Sequence, residues 1–146
     1  MIARITSYFF CTEADLWDKL TRPEYLQRVS SPVLKFMPDE DDLFEGNWTA
    51  GREYNLSLYL FNFLPLGNHR IKLVKIDKET KTILSEETGL LARTWNHKIS
   101  FQQCGEKRIK YTDTVEINAG LLTPLIWSFA QLFYRHRQRR WKDLLE

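Results

Sequence analysis

The stretch from Lys107 to Leu145 constrains the fold more than any other part of the chain. Ile109, Tyr111, Asp113, Val115 and Ile117 alternate with Arg108, Lys110, Thr112, Thr114 and Glu116. A period of two predicts a strand over Lys107–Ile117 with one covered face and one wet face. Asn118-Ala119-Gly120 breaks it. Thr123 is the expected N-cap of a helix, and Pro124 sits at the first helical position, where its missing N–H costs little. At about 100° per residue, Ile126, Phe129, Ala130, Phe133, Trp141 and Leu144 then share one broad face. The 23 residues from Thr123 to Leu145 span roughly 34 Å as a helix, and 11 strand residues span about 37 Å. A helix of that length can cross a whole curved sheet and close it. Two residues break the apolar faces: Asp113 on the strand and Arg137 near the middle of the helix stripe.

Composition bounds what this unit can serve. The 146 residues suffice for a single domain, 1–146, with a sizeable core. Aromatic residues make up 14%, a high share, and large rings fill space unevenly, which leaves room for a cavity. A net charge of +2 is too small to argue for nucleic acid. The basic run Arg135-His136-Arg137-Gln138-Arg139-Arg140 suits the negative end of the helix dipole as a solvated surface. Cys11 and Cys104 are expected to be unpaired thiols. The start, Met1-Ile2-Ala3-Arg4, lacks a signal-peptide layout, and no apolar run approaches the roughly 20 residues of a membrane span. These features predict a cytoplasmic protein. His69, His97 and His136 lack metal-ligand spacing, and no Gly-rich phosphate loop occurs, so no metal and no cofactor is expected.

The rest of the chain builds around the strand and helix. Ile2 to Phe10 reads as a first strand. Thr12-Glu13-Ala14-Asp15 has capping-box spacing, with Asp replacing the commoner Glu or Gln, and opens a short helix burying Leu16, Trp17 and Leu20. Thr21-Arg22-Pro23-Glu24 repeats the start signal for a second short helix, ended by Ser30-Ser31-Pro32. A strand at Val33–Met37 follows. The acidic run Asp39-Glu40-Asp41-Asp42 lacks calcium-loop spacing and reads as a solvated connection.

This order of parts, with paired short helices around Trp17-Asp18-Lys19-Leu20-Thr21-Arg22-Pro23-Glu24, resembles the START-like (SRPBCC, helix-grip) superfamily. That superfamily includes the birch-pollen allergen, polyketide cyclase and lipid-transfer proteins. The resemblance covers essentially the whole chain.

Strands are further expected at Arg52–Leu60, with Tyr54, Leu56, Leu58 and Leu60 on one face, and at His69–Asp77, with a bulge near Leu73. Thr82–Thr88 is also a strand, of unassigned inner face. Thr94–Gln103 carries Trp95, His97, Ile99 and Phe101 on one face. Between the third and fourth strands, Phe61-Asn62-Phe63-Leu64-Pro65-Leu66-Gly67 is an apolar connection. It is read as a flap over a cavity mouth in preference to a patch for a partner or for transient membrane contact.

The hairpin formed by the last two strands sets the candidate chemistry. Inner residues on both strands carry odd numbers, so opposed residues must sum to an even value. A three-residue loop, Cys104-Gly105-Glu106, gives 210 and sets His97 opposite Asp113. A five-residue loop gives 208 or 212 and makes them diagonal neighbours. Either way the two remain close. Such a pair on an apolar face is structural if each group satisfies the other. If Asp113 orients His97, it is functional, with His97 a base or a ligand contact. No Ser or Cys nucleophile is placed beside His97. Arg137 lies about 21 Å along the helix, at the depth of Tyr111. It is read either as an anchor for an anionic head or as a stem with its guanidinium at the rim.

The resemblance implies an α+β helix-grip fold: a seven-stranded antiparallel sheet wrapped around the long C-terminal helix, with two short helices after the first strand. It also implies a cavity between sheet and helix that holds a small hydrophobic ligand, lipid- or polyketide-like. The lining residues would be Trp95, His97, Tyr111, Asp113, Phe133 and Arg137, joined by Tyr54, Leu56 and Leu58. No catalytic role carries over. Binding or transport of such a ligand is the first expectation. The alternatives are a cyclase- or hydrolase-like enzyme using His97 and Asp113, and an interaction domain of the same fold. A deep apolar cavity with few polar groups favours the first, a closed pocket with a reachable His97 the second, and a long exposed Phe61–Leu66 loop the third.

Overall fold

The computed structural model describes residues 1–39 and 46–146. Seven strands form one antiparallel sheet: β1 (Ile2–Phe10), β2 (Leu34–Pro38), β3 (Glu53–Leu60), β4 (Leu64–Asp77), β5 (Thr82–Gly89), β6 (Thr94–Gly105) and β7 (Arg108–Asn118). Their order is β1-β7-β6-β5-β4-β3-β2. Two short helices, α1 (Glu13–Leu20) and α2 (Glu24–Ser30), separate β1 from β2, and the long helix α3 (Thr123–Leu145) ends the chain. This is the helix-grip arrangement. Glu40, Asp41 and Asp42 of the acidic run lie outside the described residues.

The local signals resolve in three ways. Thr12 caps α1 as expected, its Oγ1 accepting from the Asp15 N–H at 3.1 Å. Thr21 does not cap α2; its hydroxyl donates back to the Trp17 carbonyl and finishes α1. Thr123 is likewise not the cap of α3. A 3-10 turn at Gly120–Leu122 precedes the helix, and Thr123 Oγ1 accepts from the Ala119 N–H and donates to the Gly120 carbonyl. Both threonines therefore satisfy orphan backbone groups of the preceding segment.

The apolar connection is also different from its reading. Phe61 and Asn62 adopt positive φ in a tight turn, and β4 begins at Leu64. There is no flap: Leu64 and Pro65 pair with Leu60 and Tyr59, Leu66 bulges between the pairs Tyr59–Pro65 and Leu58–Gly67, and Phe61 and Phe63 stand exposed at the turn. The β4 bulge falls at Val74, between the pairs Leu73–Ser85 and Lys75–Leu84. It returns Ile76 to the face that carries Leu73.

Helix α3 does not lie centrally over the sheet. It packs on β1, β7 and α2. Side-chain hydrogen bonds fasten it to β1: Trp127 Nε1 donates to the Ile2 carbonyl at 2.9 Å, Gln138 Nε2 to the Ile5 carbonyl at 2.8 Å, and Ser7 Oγ to Gln138 Oε1 at 2.5 Å. His136 and Arg140 bond carbonyls of Ser31 and Arg28, holding α2 against the same helix. The middle strands stand off from α3, and the space left between them is the cavity.

Candidate functional site

A cavity of about 130 Å³ lies between the inner faces of β3–β6 and helix α3. Its walls are mainly apolar and aromatic: Leu58 from β3, Ile71 and Leu73 from β4, Ile83 and Ile99 from β5 and β6, and Phe129 and Phe133 from α3. Leu66, Leu90 and Leu91 border it at the end where β4 begins and β5 ends. Leu90 and Leu91 are exposed there.

The polar groups form a band across the inner face of the sheet. The hairpin register sums to 212, so His97 faces Val115 and Ile99 faces Asp113. The three-residue loop is replaced by a bulge at Cys104 and a turn at Glu106–Lys107, with Lys107 at positive φ. His97 and Asp113 are diagonal neighbours, with Nε2 and Oδ1 2.6 Å apart. Asp113 is fully buried. Its Oδ1 also accepts from the Tyr111 hydroxyl at 3.2 Å, and its Oδ2 accepts from Gln138 Nε2 at 2.9 Å. Burial alone would push this carboxyl up. The His97 hydrogen bond, the His97 and Arg137 charges and the Gln138 amide outweigh it and hold Asp113 below the ordinary carboxylate value.

A second pair lies two strands away. His69 Nε2 stands 2.9 Å from Glu87 Oε1, and Ser85 Oγ donates to Glu87 Oε2 at 2.9 Å. Burial again opposes ionisation, and the His69 hydrogen bond, the His69 and His97 charges and the Ser85 bond reverse it, so Glu87 is also held low. An ionised carboxylate only accepts, so in both pairs the histidine Nε2 carries the proton. The sheet register sets Ser85 directly opposite His97, a serine that the sequence reading did not place there. Its hydroxyl is given to Glu87.

Arg137 is buried, with 6% of its surface exposed, and borders the cavity. The guanidinium is therefore not at the rim. Its carbon lies 5.1 Å from the Tyr134 ring centre and 5.8 Å from that of Phe133. No described residue hydrogen-bonds to it, and its Nε is buried without a partner. Burial works against its charge, and Tyr134, Asp113, Tyr111 and Glu87 around it more than restore it. The Tyr134 hydroxyl, pushed up by burial, accepts from Trp95 Nε1 at 3.0 Å. Its ring centre lies 4.8 Å from that of His97, the two planes tilted by 48°.

The family described as "Domain of unknown function (DUF8410)" matches residues 9–144. The chain belongs to this family. Among solved structures, a protein of Chromobacterium violaceum superposes with a TM-score of 0.77 at 11% identity, covering 99% of this chain and 96% of that one. A START superfamily protein of Mycobacterium smegmatis gives 0.71 at 11% identity, covering 99% and 96%. The Aha1 dimer from Colwellia psychrerythraea gives 0.69 at 13% identity, covering 100% and 96%. At such identities the likeness is one of fold, and that fold is START-like. No curated protein matches the sequence.

For this member of the family, the residues expected at the site divide. Leu58, Trp95, His97, Phe133 and Arg137 border the cavity. Tyr54, Leu56, Tyr111 and Asp113 stand behind its wall. Tyr54 packs edge-on against Trp48, and Tyr111 packs against Phe9, both in the core. Asp113 reaches the cavity only through His97. His69, Ser85 and Glu87 were missed. A signal existed in the odd-numbered row Ile83, Ser85, Glu87, but Thr82, Leu84 and Glu86 are equally mixed. Among the described residues no group of three or more His, Cys, Asp or Glu could hold a metal ion. Both cysteines are free thiols, Cys11 buried and Cys104 exposed, and burial pushes the Cys11 thiol up to about 11. No helix among the described residues is long and apolar enough to cross a membrane.

Proposed function

We propose that this protein binds a small hydrophobic or amphipathic molecule in the cavity between the sheet and α3. The observation that carries the reading is the cavity itself: apolar and aromatic walls, with a few polar groups converging at one depth. Its START-like fold supports the same reading, because the superfamily commonly binds hydrophobic ligands. The polar band supplies orientation, and the ring walls supply most of the buried area.

The test is binding of a neutral apolar fluorophore, N-phenyl-1-naphthylamine, to the purified full chain, together with mass spectrometry of whatever the native protein releases on denaturation. Saturable binding at one site is expected. Leu58→Trp, which fills the cavity from β3, is expected to abolish it. Binding that survives this substitution would sink the cavity reading.

One observation favours a second reading. His97 commits Nε2 to Asp113 while Nδ1 has no hydrogen bond among the described residues, which is how an oriented general base is held. A cyclase- or hydrolase-type activity would then depend on His97, and turnover retained by His97→Gln would end that reading.

A further inference from the structure

Arg137 poses the sharpest physical problem in the molecule. A guanidinium carries five donors in a planar fork and cannot shed its charge. Its donors are taken out of water, and the charges around it favour its charged form without supplying hydrogen-bond acceptors. Yet the two carboxylates near it are held by other partners. Both oxygens of Asp113 are taken, by His97 and Tyr111 on one side and by Gln138 on the other. Both oxygens of Glu87 are taken, by His69 and Ser85. No carboxylate of a described residue lies within ion-pair distance of Arg137. The rings of Phe133 and Tyr134 flank the guanidinium. What remains on its open side is the cavity.

We propose that the cavity selects amphipathic molecules bearing a single carboxylate, which the Arg137 guanidinium receives as a two-point partner. Their apolar body runs toward Leu66, Leu90 and Phe129. The inference deepens the ligand-binding reading and rests on it. A planar carboxylate matches the fork in two parallel N–H···O bonds, which a hydroxyl or an ester cannot do. The fixed charges set the limit on the head: Asp113 and Glu87 already stand near, so each further negative charge on the head adds repulsion, and a dianion such as a phosphate monoester is disfavoured relative to a monoanion. The polarity of the cavity sets the orientation. Phe129 lies eight residues, roughly 12 Å, nearer the start of α3 than Arg137. Between them the wall is Phe133 and, from the sheet, Trp95.

The carboxylate can sit on an aliphatic or an aromatic body, so the experiment uses both. The full chain is titrated with decanoate and 1-decanol, and with 2-naphthoate and 2-naphthylmethanol, at a pH where both acids are ionised. Tryptophan fluorescence or heat gives the readout. Wild type is expected to bind at least one acid ten-fold or more tighter than its alcohol, and the pair that shows the preference names the body. Arg137→Gln is expected to abolish the preference for acid over alcohol. Equal affinities in wild type, or a preference that Arg137→Gln keeps, would overturn the head-group assignment while leaving the cavity reading intact. Failure of wild type to bind any of the four, or N-phenyl-1-naphthylamine, would overturn both. The wild-type comparison decides whether or not the variant folds.

Discussion

Asp113 and Glu87 each hold a histidine on the inner face of the sheet, but their surroundings differ. Asp113 has no exposure and three hydrogen-bonding groups around it: its histidine, the Tyr111 hydroxyl and the Gln138 amide, which also bonds the Ile5 carbonyl. Glu87 and His69 keep 11% side-chain exposure each, at the end of β4 and β5 where the cavity opens, with Ser85 as the one further partner. The first pair is tied through Gln138 to β1 and α3, so it belongs to the core as much as to the cavity. The second is tied only within its own two strands. Like chemistry thus has unlike consequences: one pair is a structural joint that presents a histidine, and the other is a polar edge of the mouth.

Substitution should separate them. Asp113→Ala strips the acceptor from His97, Tyr111 and Gln138 together, and a loss of about 3–5 kcal/mol in urea unfolding is expected. Glu87→Ala should cost less, about 1–3 kcal/mol, because water from the mouth can reach the orphaned groups. Equal costs would erase the distinction between joint and edge.

Arg137→Met offers a third contrast. It removes a buried cation that has no hydrogen-bond or ion-pair partner among the described residues, and its stem volume is nearly kept. A change under about 1.5 kcal/mol in unfolding is expected, in either direction. A loss as large as that of Asp113→Ala would mean that the guanidinium is a structural element and not a group held ready for a ligand.

Acid should act through both pairs. Asp113 and Glu87 each have a folded-state pKa below the ordinary carboxylate value. Each therefore contributes stability that is present above its unfolded value, near about 4, and that is lost as pH falls through the folded value. The urea midpoint of wild type is expected to drop as pH is lowered from about 5 toward 3. Asp113→Asn should flatten that acid arm more than Glu87→Gln does. An unchanged slope in Asp113→Asn would show that the joint does not carry a charged carboxylate.

The smallest effect is expected at the β3–β4 turn. Phe63 is 74% exposed and touches no part of the polar band. Phe63→Ser should shift unfolding by no more than about 0.5 kcal/mol. It should also leave N-phenyl-1-naphthylamine affinity unchanged, which a covering flap would not allow.

Element type was legible wherever periodicity was clean. The alternation of β6 and β7 and the stripe of α3 survive as read, because a sheet with one covered face forces that pattern on its residues. The closeness of His97 and Asp113 followed from parity alone: two odd-numbered inner residues at matching depth on adjacent strands must be neighbours in every allowed register. The register itself did not follow, since the bulge at Cys104 adds a residue that no local signal announces. The second pair was hidden for the same kind of reason. The bulge at Val74 and the mixed faces of β5 leave Ser85 and Glu87 without an assignable side until β4 and β6 are laid beside them.

The sequence by itself determined the order of elements and the presence of two polar exceptions, Asp113 and Arg137, on apolar faces. These depend on side-chain periodicity and on local turn chemistry, which are properties of neighbours along the chain. Only the tertiary structure decided which lining residues reach the cavity. Helix α3 is pulled onto β1 by Trp127 and Gln138, so Tyr111 and Asp113 are covered while Arg137, Phe133 and Trp95 face open space. That choice lies in contacts between residues more than a hundred positions apart, and no period along the chain encodes it.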